Sequence, residues 1–237
     1  MPRGRGTETA SDNRDTARFH SYDVPPTFII HNYASVNGVY GMQPQGQPST
    51  LWNQPHYRVR KKVASIATKY FIEDANGNML GFTKQKMMKL KEDIRIYTDK
   101  KMKQELFQIR QTQIVDTWGN YAVMDTASGQ CVGNIKRMAG KSMLASEYML
   151  LDAQGQQIGR IFEEAGKGAM RRFMPGGNLI PQKVFLEFGG QVCGEIKQKF
   201  KIIGDIWEAD ASCVPPHLDR RVLIGAMLMM SMIERKK

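Results

Sequence analysis

Residues 222–233 (VLIGAMLMMSMI) carry no charge and are apolar around their whole circumference at helical spacing; Arg220-Arg221 precede them and Glu234-Arg235-Lys236-Lys237 come after. At about 1.5 Å per residue this helix is about 18 Å long, well short of the roughly 30 Å hydrocarbon core of a bilayer. A helix that is apolar all round has to be surrounded, so the remaining chain has to supply a container unless the segment is a short membrane-inserted anchor. Gly225 and Ala226 let a strand or backbone come near, and Met227, Met229, Met230 and Met232 suit an irregular interior.

The container is written in a repeat. Segments 70–84 (YFIEDANGNMLGFTK), 121–137 (YAVMDTASGQCVGNIKR), 148–162 (YMLLDAQGQQIGRIF) and 184–198 (VFLEFGGQVCGEIKQ) share an apolar strand start, a glycine turn and a second glycine four positions on. Asp74, Asp125 and Asp152 can accept backbone hydrogen bonds as the chain turns. Gly77, Gly129, Gly155 and Gly190 supply the positive φ of tight hairpins. The aspartates recur with the turns, so turn chemistry explains them better than catalysis or calcium. The second glycines (Gly81, Gly133, Gly159, Gly194) read as bulges or points of close approach. Further strands fall at 93–98, 105–115 and 200–208, where apolar and polar residues alternate. Eleven or so strands at short spacing predict an all-β barrel or sandwich over 57–237, closed by the helix at 217–235.

Residues 1–56 are rich in Gly, Pro, Gln, Ser and Asn without apolar periodicity, which predicts a disordered tail with extended polyproline-like stretches. Phe28, Ile29, Ile30 and Trp52 are apolar islands able to dock on a partner or on the domain, though isolated aromatics in tails usually do neither. The first thirty residues contain no apolar run of signal-peptide length, and cytoplasmic residence is expected. Cys131, Cys193 and Cys213 are odd in number, far apart and outside any CxxC. They indicate neither a disulfide framework nor a zinc site and fit a reducing compartment.

Net charge is +11, and the four basic and four acidic residues of 1–56 cancel, so the whole excess falls on the folded part. Such a field favours an anionic partner. Cations come after every hairpin: Lys84, Lys86, Lys89 and Lys91 after the first, Lys136, Arg137 and Lys141 after the second. Lys167, Arg171 and Arg172 trail the third, and Lys197, Lys199 and Lys201 the fourth. Period two puts the last three on one strand face, with Ile196, Phe200 and Ile202 on the other. Each cation near an anionic membrane contributes about 1 kcal/mol, so several together give reversible association. The competing reading is the solvated outer face of a barrel.

Catalysis is not expected. His20, His31, His56 and His217 form no triad or dyad spacing, and Glu163-Glu164 reads as surface charge. Gly140-Lys141-Ser142 lacks the upstream glycine of a phosphate loop, because Ile135 occupies that position. No aromatic and basic interleaving of an RNA-binding sheet is present, which places nucleic acid behind lipid as a partner.

A basic domain of D-x-x-G hairpins, with a Pro-containing loop and an L-D-x-R-V-x-x-x-G-A apolar helix after it, resembles the phospholipid scramblase and LURP-one-related families of the Tubby C-terminal-like superfamily. The residues that carry the resemblance are Ala209, Asp210, Pro215, Leu218, Asp219, Val222, Leu223, Gly225, Ala226 and Glu234, with the four hairpins. It extends over about residues 57–234, and the tail is similar to the proline-rich leader of scramblases, where a protein partner would bind. The resemblance implies a closed twelve-stranded barrel wrapped around its C-terminal helix and action at membranes, through phosphoinositide binding or calcium-activated lipid scrambling. The chain lacks the acylated cysteine cluster of scramblases, and before the helix only Asp205, Asp210 and Asp219 are available for calcium. The expected function is therefore non-enzymatic, cofactor-free association with anionic phospholipid. Lipid scrambling and a soluble adaptor or nucleic-acid-binding role are the alternatives.

Overall fold

The structure, a computed structural model, describes residues 50–63, 67–86, 93–115, 118–138 and 147–233. The first four strands are β1 (His56–Lys62), β2 (Ala67–Glu73), β3 (Met79–Lys86) and β4 (Ile94–Tyr97). Next come β5 (Glu105–Val115), β6 (Trp118–Asp125), β7 (Cys131–Met138), β8 (Glu147–Leu151) and β9 (Gln157–Phe162). A helix α1 (Ala165–Phe173) leads to β10 (Lys183–Phe188), β11 (Gln191–Lys201) and β12 (Gly204–Asp210), and the described chain finishes in α2 (Arg220–Ile233). These strands form one closed barrel in which each is antiparallel to its sequence neighbours and β12 pairs with β1.

This up-and-down order gives the barrel two distinct ends. At the turn end lie the short connections β2–β3, β4–β5, β6–β7, β8–β9 and β10–β11. At the loop end lie the connections that leave β1, β3, β5, β7, β9 and β11. Asp74 accepts from the amides of Asn76 and Asn78 at 2.9 and 2.8 Å, Asp125 from Ser128 at 2.8 Å, and Asp152 from Gln154 and Gln156 at 2.9 and 2.8 Å. These are the turns expected from sequence. In each repeat the ladder also slips once beside the second glycine, at Ile72/Glu73, Val123/Met124, Leu150/Leu151 and Leu186/Glu187. Such bulges bend the strands they interrupt. At Gly133 an added Cβ would stand 2.5 Å from Val222 Cγ2 and 2.7 Å from the Leu151 carbonyl oxygen, so the helix itself excludes a side chain there.

The helix is the core. Residues 221–232 of α2 are all buried, against inward side chains such as Val59, Ile109, Val123, Ile135, Leu150, Leu186 and Trp207, each at most 1% exposed. Helix formation begins later than expected, at Arg220, because Asp219 caps it: its Oδ1 accepts from the Arg221 amide at 2.9 Å. Arg221 also donates to Asp219 Oδ2 at 2.8 Å and to Asp125 of the β6–β7 hairpin, tying the helix start to the turn end. Burial opposes the charge on Arg221, yet its two carboxylate partners raise its pKa. At the other end Lys61 Nζ donates to the Ser231 carbonyl at 2.9 Å, a cation on the C-terminal pole of the helix.

Three expectations are corrected. Cys193 and Cys213 form a disulfide with Cα atoms 5.9 Å apart, joining the start of β11 to the loop before α2. The barrel brings both to the turn end, which a separation of 20 residues conceals. Residues 200–208 are not one strand, since β11 stops at Lys201 and β12 starts at Gly204. Trp52 is 3% exposed and packs edge-on against Phe107 at 5.2 Å; it belongs to the core rather than standing as an island. Tyr57 holds it there by donating its hydroxyl to the Trp52 carbonyl while accepting from the Gln54 amide at 3.0 Å. Phe28, Ile29 and Ile30, with the rest of the expected tail up to residue 49, lie outside the described residues.

Candidate anionic-surface interface

Outward positions of β1 are charged or titratable, His56, Arg58, Arg60 and Lys62 alternating with buried Tyr57, Val59 and Lys61, and the outward Phe162 and Phe185 of β9 and β10 lie under the cations of Arg160 and Lys183. This is the reverse of the apolar-out pattern of a lipid-embedded barrel, and among the described residues no helix is long and apolar enough to cross a membrane. Much of the wall is neutralised by cross-strand ion pairs. Arg60 meets Glu73 at 2.5 Å, and Arg160 meets Glu187 at 2.7 Å and Glu147 at 3.2 Å. The Glu187 bond raises the pKa of Arg160 against the opposing pull of burial and holds the guanidinium charged.

The stripe Lys197, Lys199 and Lys201 does lie on one outward face, but two of its members are neutralised. Lys197 Nζ is 2.8 Å from Glu195, which Lys183 also approaches at 2.6 Å, and Lys199 is 2.5 Å from Glu208, which Arg58 meets at 3.4 Å. Lys201, at the loop end, is exposed. The shallow groove beside this stripe is lined by His56, Glu195, Lys197, Glu208 and Asp210; Glu195 pairs with Lys197 within it, Glu208 pairs with Lys199 and Arg58 beside it, and His56 Nε2 stands 3.8 Å from Asp210.

Uncompensated charge lies elsewhere. Lys62 pairs in register with Lys69, and Lys69 with Lys84, so three lysines stand side by side across β1, β2 and β3 on the outer face at the loop end. Among the described residues none of these three, nor Lys201, has an ion-pair partner. Like charges directly opposite each other cost stability. Of the three, sequence alone points only to Lys84, because it lies on the returning strand of a hairpin motif. Lys62 and Lys69 lie on the consecutive strands β1 and β2, outside any hairpin motif, and only register reveals that they meet. Of the other expected cations, Lys136 and Arg137 are half-buried near the loop end of β7, and Lys167 of α1 meets Glu164 at 2.7 Å. The side chains of Lys86, Arg171 and Arg172, and all of Lys89, Lys91 and Lys141, lie outside the described residues.

The interior of the loop end is polar as well. Asp205 is fully buried and accepts from Gln198 Nε2 at 2.9 Å and Ser231 Oγ at 3.4 Å. Gln198 in turn accepts from the Gln182 amide at 3.1 Å, and Gln182 donates to Glu163 at 3.2 Å. Beside this network, burial and then the Asp205 charge push the Tyr70 phenol well above its usual range. The network fixes the end of α2 to both sides of the β9–β10 connection.

The three acids considered for calcium are dispersed. Asp205 sits in the network at the loop end, Asp219 caps α2 at the turn end, and Asp210 is exposed and accepts from the Ser212 amide at 2.9 Å, which lowers its pKa. Among the described residues no three His, Cys, Asp or Glu side chains are placed to hold a metal ion. Compared with protein-family models, curated proteins and solved structures, the chain matches none.

Proposed function

We propose that the chain is a non-enzymatic, Tubby-like barrel protein that associates peripherally with anionic phospholipid, phosphoinositides included, through the outer rim of its loop end. The observation that carries this reading is the Lys62–Lys69–Lys84 row. Much of the wall pairs its charges across strands, whereas among the described residues these three lysines, adjacent in register, are unmatched, and an anionic surface supplies the missing partner; Lys101 and Lys103 of the β4–β5 turn are likewise without an ion pair but form no such row. At about 1 kcal/mol per lysine the row gives weak, salt-sensitive binding, as expected of a peripheral protein. The family reading is supported by the twelve-stranded barrel around a C-terminal helix, the arrangement that the resemblance implies.

Scrambling by α2 would require the helix to leave the barrel, stripping the core of its central element and breaking the Arg221 and Lys61 anchors at its two ends. Docking of the intact barrel asks for none of this. Co-sedimentation with phosphatidylcholine vesicles, alone or with phosphatidylserine and phosphatidylinositol bisphosphate, tests the proposal: binding should require the anionic lipid and weaken with salt. Equal sedimentation with neutral and anionic vesicles would refute it.

A further inference from the structure

Resting on that reading of the loop end as a membrane-facing rim, we infer that the rim does not merely lie on the headgroups but inserts apolar side chains between them, chiefly from the β11–β12 turn and the β9–β10 connection. Large apolar residues exposed among the described ones are distributed unevenly between the two ends of the barrel. Met79, Met102 and Val192 are at the turn end, none above 54% exposed. Val63, Ile202 and Ile203 come after β1 and β11 at the loop end, and Met170, Phe173, Met174, Leu179 and Ile180 belong to the connection that leaves and rejoins that end. The three most exposed of all, Ile202 at 104%, Leu179 at 73% and Phe173 at 68%, are in this set.

The β11–β12 turn shows that this exposure is built in. Tight turns favour Gly, Asn and Asp, and the opposite end of the barrel uses Asn76-Gly77 and Gly189-Gly190. Here the turn residues are two β-branched isoleucines, between Lys201 and Gly204. Gly204 has φ +109°, and a Cβ on it would overlap the Lys61 carbonyl oxygen. The turn is therefore seated firmly on the end of β1 and leaves Ile202 in open solvent. Within α1, Met170 and Phe173 are three apart and share an exposed face with Lys167. Apolar tips among unpaired lysines fit the interfacial zone of an anionic bilayer, where the acyl boundary receives the tips and the phosphates receive Lys62, Lys69, Lys84 and Lys201. The charge of the rim argues for this occupant over a second copy of the same chain, which would bring like charge against like.

The apolar contribution separates experimentally from the electrostatic one. High salt screens charge, with a Debye length of about 3 Å at 1 M, but leaves insertion intact. With phosphatidylcholine vesicles containing phosphatidylserine, the wild-type chain should keep part of its binding at 1 M salt. The double variants Ile202→Ser/Ile203→Ser and Phe173→Ser/Leu179→Ser should lose that remaining binding and bind roughly tenfold more weakly at low salt. All four positions are exposed, so folding is not at stake. In the Ile202→Trp variant, the added fluorescence should be quenched by brominated acyl chains. Wild-type binding that the serine variants share unchanged, with no quenching in Ile202→Trp, overturns insertion while leaving electrostatic docking standing. No binding by the wild type to any anionic vesicle removes both readings. A dimer in solution that Ile202→Ser/Ile203→Ser dissociates overturns the inference in favour of self-association.

Discussion

Replacing Lys69 with Gln should make the protein more stable and bind anionic vesicles less well, and this opposition of signs distinguishes a functional cation row from a solvated wall. Lys69 is the centre of the row, directly opposite Lys62 on one side and Lys84 on the other. A cross-strand pair of this kind is worth about 0.2–1 kcal/mol, so removing two repulsions stabilises the fold by about 1 kcal/mol. For a unit spanning residues 45–237 that raises the melting temperature by about 2–4 °C. Loss of one lysine from the rim lowers vesicle affinity by about 1 kcal/mol, roughly fivefold. Both effects should shrink at high salt. Thermal unfolding by circular dichroism reads the first and titrated co-sedimentation the second. A Lys69→Gln variant that melts lower than wild type, or that binds phosphatidylserine vesicles equally well at low salt, would refute the idea that the row is an electrostatic cost kept for an anionic partner.

Other consequences stem from the fold. Reduction of the Cys193–Cys213 bond, or Cys213→Ser, reopens a 20-residue loop and should cost about 3 kcal/mol on the loop-entropy account, a fall of about 6–12 °C in melting temperature; identical scans with and without reductant would contradict it. Leu223→Ala deletes a fully buried side chain from the central helix and should cost about 2–5 kcal/mol in denaturant unfolding, against less than about 0.5 kcal/mol at a solvated site. Asp125 titrates low: burial pushes its pKa up, but hydrogen bonds from Ser128 and the Arg221 guanidinium outweigh that. Its contribution is thus complete above the ordinary carboxylate pKa of about 4 and is lost as pH falls through the depressed folded value. Asp125→Asn should flatten that acid limb of the stability curve, and unchanged acid sensitivity would show that the Arg221 anchor contributes nothing.

The barrel is legible in the sequence because its repeats are local. A D-x-x-G turn announces itself within a few residues, as at Asp74 and Asp152, and an apolar helix about 18 Å long has few places to go. What escapes is whatever depends on which strands become neighbours. Lys62 and Lys69 meet only through the register of β1 with β2, and Cys193 reaches Cys213 only because the barrel folds both to one end. The stripe at Lys197, Lys199 and Lys201 fails in the opposite way. Its periodicity on β11 is real, but Glu195 and Glu208 on the same face neutralise two of the three. The isoleucines at 202 and 203 pass as strand residues because their β-branching outweighs the signal of Gly204, yet both stand exposed in the turn at the loop end.

Hydrogen exchange measured by mass spectrometry, with and without vesicles of phosphatidylcholine and phosphatidylserine, tests most directly that one end of the barrel is the membrane-binding surface. Exchange should slow on vesicles in the peptides containing Val63, Ile202 and Ile203 and across residues 165–180, with no change in the turns at 74–78, 126–129, 152–156 and 189–190. Protection confined to those turns, or exposure of α2 on vesicles, would contradict it.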